Sequence, residues 1–412
     1  MKITLIHPYR HHSYNTVKAL KNISNDVEAF YGYYNKKGYF YNKIMKHKNN
    51  KVISKFLGYN DVLIDDVVRT SNISNILFLL SKIDKNKTKL FLEKFESNTL
   101  NNVKDRDVYL FLQDYCNKII DYAYENNKII IYDHIMPAGI KQRELLLREA
   151  KRANFPISYV DKFLSEKKIY DNYKNIEKAN IILNASNATY NITEEVLGKE
   201  KASKKSFIIP YGSNFDYMNQ NEFNNYIENK YSNINSRKLK ILYVGSISIA
   251  KGINYLIDII EELNNEDIEF GVIGVPNKEE DEVLLEKLLS FEAVKYYGSV
   301  PHKQIINKYK EYDAFIFTSI IEGFGMVTLE AMSMGLPCIV NEYCSSVVKN
   351  RINGFVVNNI NKESYINVIR EIKNNNKLLR EISFNAYNES KNYSWNTYIE
   401  NLTKIFKDNI RI

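Results

Sequence analysis

Glu322-Gly323-Phe324-Gly325-Met326-Val327-Thr328-Leu329-Glu330-Ala331-Met332 is the stretch on which the reading of this chain turns. It follows the apolar run Ala314-Phe315-Ile316-Phe317 and leads into Gly335-Leu336-Pro337. A buried strand, a turn and a helix account for that order. Gly323 and Gly325 let the backbone come close to a ligand. A helix starting near Gly325 presents free N–H groups and the positive end of its dipole, which suits an anion such as a diphosphate. Glu322 falls in the turn and Glu330 lies well inside the helix, so the two carboxylates reach different parts of one ligand. Carboxylates accept paired hydrogen bonds from vicinal diols, as on ribose and sugars.

Outward from this stretch, short apolar runs alternate with amphipathic ones. Strands are predicted at 239–244, 269–273, 293–297, 314–317 and 336–340. Helices are predicted from 252 and over 278–290, 302–311 and 325–333. Upstream, 2–6, 128–132, 180–183 and 206–210 read as strands, and 105–126, 140–153 and 158–178 as helices. This alternation implies an α/β fold, with parallel sheets flanked by helices. Residues 213–237 are polar, Asn-rich and without clear periodicity, and read as a linker. Residues 361–408 read as helical.

The two glutamates, their glycine spacing and the following Ala331-Met332…Gly335-Leu336-Pro337 resemble the signature of retaining family-4 glycosyltransferases, group 1, of the GT-B fold. Tyr243-Val244-Gly245-Ser246…Lys251-Gly252 resembles the family's first strand of the second domain and its phosphate loop. Tyr297-Gly298-Ser299-Val300 resembles its segment near the nucleobase. Asn353-Gly354-Phe355-Val356 and Tyr393-Ser394-Trp395 resemble its late landmarks. The resemblance is clear over about 175–400 and thin before that. It implies two Rossmann-like domains facing a central cleft: 1–212 for the acceptor, 213–390 for the nucleotide-sugar donor, and a helix in 391–412 crossing back.

Carried over, the resemblance has Glu322 contact donor sugar hydroxyls, Glu330 the ribose diol and Lys251 the diphosphate. The backbone of Gly323, Phe324, Gly325, Met326 and Val327 would hold diphosphate and sugar, with Gly245, Ser246 and Val300 along the nucleotide. Many members carry Arg where this chain has Ser246, so one phosphate-binding cation is missing. His134, after the run 128–132, occupies a place comparable to that of a sugar-contacting histidine in many relatives; a structural strand end is the other reading. The first loop, His7-Pro8-Tyr9-Arg10-His11-His12, lacks the family's usual glycines. Its place after a first strand favours ligand contact, which makes Arg10, His11 and His12 the candidates on the acceptor side. The expected reaction is transfer of a hexosyl group to a glycan or lipid-linked acceptor with retention, in cell-surface polysaccharide synthesis. A nucleotide-sugar epimerase or hydrolase of the same architecture, or a degenerate donor-binding protein, are the alternatives.

A chain of 412 residues with 44% hydrophobic composition suits two domains. Its net charge of +8 is spread along the sequence, and no nucleic-acid motif accompanies it. The three cysteines have no metal-type spacing and fit a reducing compartment. His7, His11 and His12 have no carboxylate or cysteine spaced with them as metal ligands. Asp105-Arg106-Asp107 reads as capping at a helix start. No metal or other cofactor is expected beyond the nucleotide-sugar co-substrate. No signal peptide or membrane-spanning run is visible, so the expectation is a cytoplasmic protein, with peripheral contact at the inner membrane face. The aromatic and basic stretch 30–56 reads first as a solvated helix, with binding of bases, sugars or lipid headgroups as the other reading.

Overall fold

A computed structural model of the chain describes residues 1–9, 11–34, 61–113, 115–232, 234–344, 346–358 and 360–410. Arg10, and residues 35–56 of the aromatic basic stretch, lie outside the described residues.

The first half holds β1 (Lys2–His7), β2 (Asp26–Tyr31), β3 (Val68–Arg69), β4 (Val108–Leu112), β5 (Ile129–His134), β6 (Ile181–Asn184) and β7 (Ser206–Ile208). They form one parallel sheet in the order β3-β2-β1-β4-β5-β6-β7. The second half holds β8 (Leu239–Val244), β9 (Ile268–Ile273), β10 (Val294–Gly298), β11 (Ala314–Phe317), β12 (Cys338–Asn341) and β13 (Gly354–Val357). Their sheet is also parallel, ordered β10-β9-β8-β11-β12-β13. Strands buried on both faces need no polar alternation, which is why β4 and β11 are apolar throughout. In each sheet the strand order reverses beside the first strand, at β1/β4 and at β8/β11. Ligands of doubly wound sheets bind beyond the carboxyl ends of the strands at such a point.

Three sequence readings are corrected. Residues 105–126 are not one helix: Val108-Tyr109-Leu110-Phe111-Leu112 is the wholly buried β4, and a helix begins only at Asn117. Asp105-Arg106-Asp107 therefore precedes a strand. Asp105 pairs with Lys2, and Arg106 with Asp26 and Glu28. The polar stretch 213–237 contains the helix Gln220–Tyr231, begun by a capping box of Asn219 and Glu222. Its buried residues Phe223, Ile227 and Tyr231 are spaced by four, and Phe223 stacks on Tyr387 at 3.6 Å.

The helix Trp395–Asn409 returns to the first half and packs on the helix Ser13–Lys21. Tyr398 Oη and Thr16 Oγ1 lie 2.9 Å apart, and Leu402 and Phe406 are wholly buried. Leu402→Ala should cost about 2–5 kcal/mol of stability, read as a lowered urea midpoint. An unchanged midpoint would mean that this helix is not docked.

The halves also meet along a polar seam. Glu149, 1% exposed, accepts hydrogen bonds from Arg152 (2.7 Å), Tyr255 (2.8 Å), Arg148 (3.2 Å) and Asn254 (3.3 Å). Arg152 also pairs with Asp258 at 2.5 Å. A buried carboxylate is tolerated only with such partners.

Candidate active site

The cleft between the sheets is walled by the segments after β1, β5, β8 and β11. Its deeper part, a cavity of about 260 Å³, is lined by His11, Ile135, Met136, Tyr211, Val244, Gly245, Lys251, Phe317 and Glu322 to Val327. A second cavity of about 460 Å³ adjoins it and shares His11, Tyr211 and Met326.

The loop after β11 shapes the floor. Gly325 has φ +79° and caps the helix Met326–Ser333, a conformation that any other residue would strain. The first N–H groups of that helix have no intrahelical partner, and Met326 and Val327 line the cavity. Gly323 lies so near the first half that a Cβ there would sit 1.8 Å from the Ile135 carbonyl oxygen. The loop's approach to the other wall thus depends on the missing side chain.

Lys251 Nζ and Glu322 Oε2 are 2.5 Å apart, and the ammonium lies 5.6 Å from the centre of the Phe317 ring. Both side chains are largely buried, so the pair is strong and the site is electrically balanced before any ligand arrives. Glu330, 7% exposed, accepts from Tyr309 Oη at 3.1 Å and meets His302 Nε2 at 3.0 Å. Each glutamate of the signature therefore has a partner in the free protein. Ser246 takes a hydrogen bond from Asn277 Nδ2 at 3.1 Å and does not line the cavity. Val300 lies past the end of β10, just ahead of the helix His302–Glu311 that carries His302 and Tyr309.

His134 is placed elsewhere than its sequence position suggests. It is wholly buried, with Nδ1 3.3 Å from Asn184 Oδ1 and Thr193 Oγ1. Asn172 Nδ2 lies 3.4 Å from its Nε2, while Asn172 Oδ1 accepts from Tyr132 Oη at 2.8 Å. The amide therefore donates to Nε2, and the ring is the neutral Nδ1–H form. Burial pushes it down to about 4. The residues just past the strand end that reach the cleft are Ile135 and Met136; the histidine of its deeper part is His11, which His12 joins at the adjoining cavity.

His12 and Asp133 form a pair that the sequence does not announce, being 121 residues apart. His12 Nε2 lies 2.6 Å from Asp133 Oδ2, both side chains are almost fully buried, and His12 stacks on Tyr211 at 4.1 Å. The Nδ1 atoms of His11 and His12 face each other in a short hydrogen bond. Tyr211 and Trp395, also unanticipated, complete an aromatic wall with Phe324. A separate cavity of about 480 Å³, lined by Glu28, Arg69 and Arg106 among others, shares no residue with the cleft, and its charges are paired with one another.

Residues 226–389, the heart of the second half, match the model of the family described as Glycosyl transferases group 1. An uncharacterized 41.2 kDa protein in the cps region of Klebsiella pneumoniae is 33% identical over 129 residues, 30% of this chain and 34% of that protein. The chain spans about a third to a half of the length of the curated relatives it matches first. Among solved structures, HepE of Anabaena in complex with UDP has a TM-score of 0.62 at 14% identity, over 99% of this chain and 100% of that one. Sucrose-phosphate synthase of Thermosynechococcus elongatus has a TM-score of 0.64 at 14% identity, over 99% and 98%. The two Rossmann-like halves thus form a GT-B fold.

Proposed function

We propose that this chain is a glycosyltransferase that moves a hexosyl group from a UDP-sugar to a glycan or lipid-linked acceptor, with retention of anomeric configuration. The observation that carries the reading is the Lys251–Glu322 pair beside the start of the helix Met326–Ser333. A diphosphate arriving there meets the unpaired N–H groups and draws Lys251 toward itself. Glu322 is then released to hold sugar hydroxyls, and Glu330 the ribose diol. The uridine nucleotide is suggested by HepE of Anabaena, which has been crystallised with UDP and with UDP-glucose. The further role in cell-surface polysaccharide synthesis, a cytoplasmic location and peripheral membrane contact belong to the same proposal. Among the described residues no helix is long and apolar enough to cross a membrane.

Retention rests on the resemblance of the glutamate signature. Attack on the face the phosphate leaves lets a phosphate oxygen take the acceptor proton. The protein then needs to hold the sugar and stabilise the leaving group. Proton NMR of fresh product made from an α-linked UDP-sugar should show an α linkage, and a β linkage overturns the proposal. Lys251 and the helix start do the work of a divalent ion at the diphosphate, so activity should survive EDTA. Loss with EDTA and recovery with manganese would count against this arrangement.

One observation favours a second reading. The buried His12–Asp133 pair places an imidazole and a carboxylate beside the cleft, the residue types that epimerisation of the donor would need. Incubation of labelled UDP-sugar without acceptor separates the readings: slow hydrolysis supports a transferase, and epimerised donor supports the second.

A further inference from the structure

We propose that Tyr159 of the first half is a positioning residue for the donor's diphosphate: by holding the backbone turn that carries Lys251, it makes the phosphate site of the second half depend on the first. The proposal rests on the reading of the cleft as a sugar-nucleotide site.

Lys251 ends the single helical turn Ile249–Lys251, which leads into the helix Ile253–Leu263. Within the second half, the carbonyls of this turn are fixed by the segment after β11. Thr318 Oγ1 donates to the Lys251 carbonyl at 3.2 Å, and Ile320 N donates to that of Ala250 at 3.1 Å. The N–H that opens the turn takes its partner from the other half. Ile249 N donates to Tyr159 Oη in a long hydrogen bond of 3.4 Å.

Tyr159 lies on the helix Ile157–Leu164 and is wholly buried. A phenol has a single proton to give, and here it goes to Asp281 Oδ1 in a short hydrogen bond. Asp281 is wholly buried as well, and its other oxygen accepts from Lys278 N at 3.2 Å. The Lys278 ammonium stands 4.4 Å from the centre of the Tyr159 ring and 3.7 Å from that of Phe163 on the same helix. The phenol is thus gripped at its ring and at its oxygen, and the oxygen bridges the loops that follow β8 and β9. The far side of Lys251 is tied to the first half too. Glu149 accepts from Asn254 and Tyr255, both in the first turn of the helix that follows. First-half contacts therefore flank Lys251 on both sides.

The consequence follows from what Lys251 has to do. Its ammonium must leave Glu322 for the diphosphate, and the exchange succeeds only if the backbone beneath stays in place. A displacement of about 1 Å is enough to spoil such a contact. Without the phenol hydroxyl, Ile249 N loses its acceptor and the Asp281 carboxylate loses a donor, so the near end of the turn is free to shift. The diphosphate is accordingly held best while the halves are together, and their separation favours its release.

Calorimetry of the full chain with UDP and with uridine tests the proposal. Tyr159→Phe should weaken UDP binding about fivefold, the worth of one neutral hydrogen bond, and leave uridine binding unchanged. In a Lys251→Ala background the same change should cost UDP nothing further, because the residue through which Tyr159 acts is gone. A merely structural tyrosine would lower the urea midpoint without shifting UDP against uridine, and that result overturns the proposal. So does a loss of UDP affinity that persists undiminished without Lys251. Should Tyr159→Phe not fold, Tyr255→Phe, which unties the other flank from Glu149, carries the same prediction and the same refutations. A wild type that binds UDP no more tightly than uridine fails earlier, at the reading of the cleft as a diphosphate site, and the proposal falls with it.

Discussion

Lys251→Ala should weaken UDP binding by roughly 10- to 150-fold, the equivalent of about 1.5–3 kcal/mol for a charge-assisted hydrogen bond, and leave uridine binding almost untouched. The direction follows from the pairing in the cleft. Lys251 is the ammonium that lines the deeper cavity, and Glu322 lies 2.5 Å from it. Without the lysine, a largely buried carboxylate faces the incoming diphosphate with no counter-charge, so attraction is replaced by repulsion. Ser246 cannot compensate, because its hydroxyl is uncharged and does not line the cavity. Calorimetric titration with both ligands is the check. Equal losses for UDP and uridine would mean that Lys251 supports the fold of the loop and not the phosphates.

Glu322→Gln should act in the opposite sense on binding and more severely on turnover. The neutral amide frees Lys251, so UDP should bind at least as well as in wild type. Sugar hydroxyls lose a charged acceptor in a site where misplacement by about 1 Å can cost on the order of 100-fold in rate. Turnover should therefore fall by about that factor. With Glu322 in the proposed role of positioning the sugar, intact-protein mass spectrometry of the variant with UDP-sugar should show no added hexosyl group. A trapped glycosyl-protein would identify a covalent nucleophile and overturn the role given to Glu322.

The second half was legible because its strands are short β-branched and aromatic runs between clear turns, interrupted by no more than one charged residue each, at Lys240, Glu269 and Lys295. Every predicted strand from 239 to 340 corresponds to one in the structure within about two residues. The first half hid more. β2, Asp-Val-Glu-Ala-Phe-Tyr, carries two acids near its start, where Glu28 pairs with Arg69 and Arg106, and so it does not read as a buried strand. β4 was merged with the helix after it because Val108 to Leu112 is compatible with either period when read alone. The helix Gln220–Tyr231 was obscured by its asparagines, although Phe223, Ile227 and Tyr231 mark a stripe. At the site, Lys251, Glu322 and the glycine turn were readable because they are close in sequence to a recognisable strand and helix. The His12–Asp133 pair was not, since only the parallel packing of β1, β4 and β5 brings the loop after β1 near Asp133. His134 shows the converse error: as the last residue of β5 it is still buried in the first half, and the residues that reach the cleft are the two that follow the strand, Ile135 and Met136.

The helix Trp395–Asn409 has a consequence for how this protein is made. Thr16 meets Tyr398, which is 382 residues further along the chain. At roughly 5–20 residues per second, the face of the helix Ser13–Lys21 waits on the order of 20–80 seconds on the ribosome before its cover is synthesised. During that time the whole second half emerges and can close on itself first. The first half is thus the earlier to be translated and the later to be finished, and a chaperone that shields nascent chains has its longest task at residues 13–21.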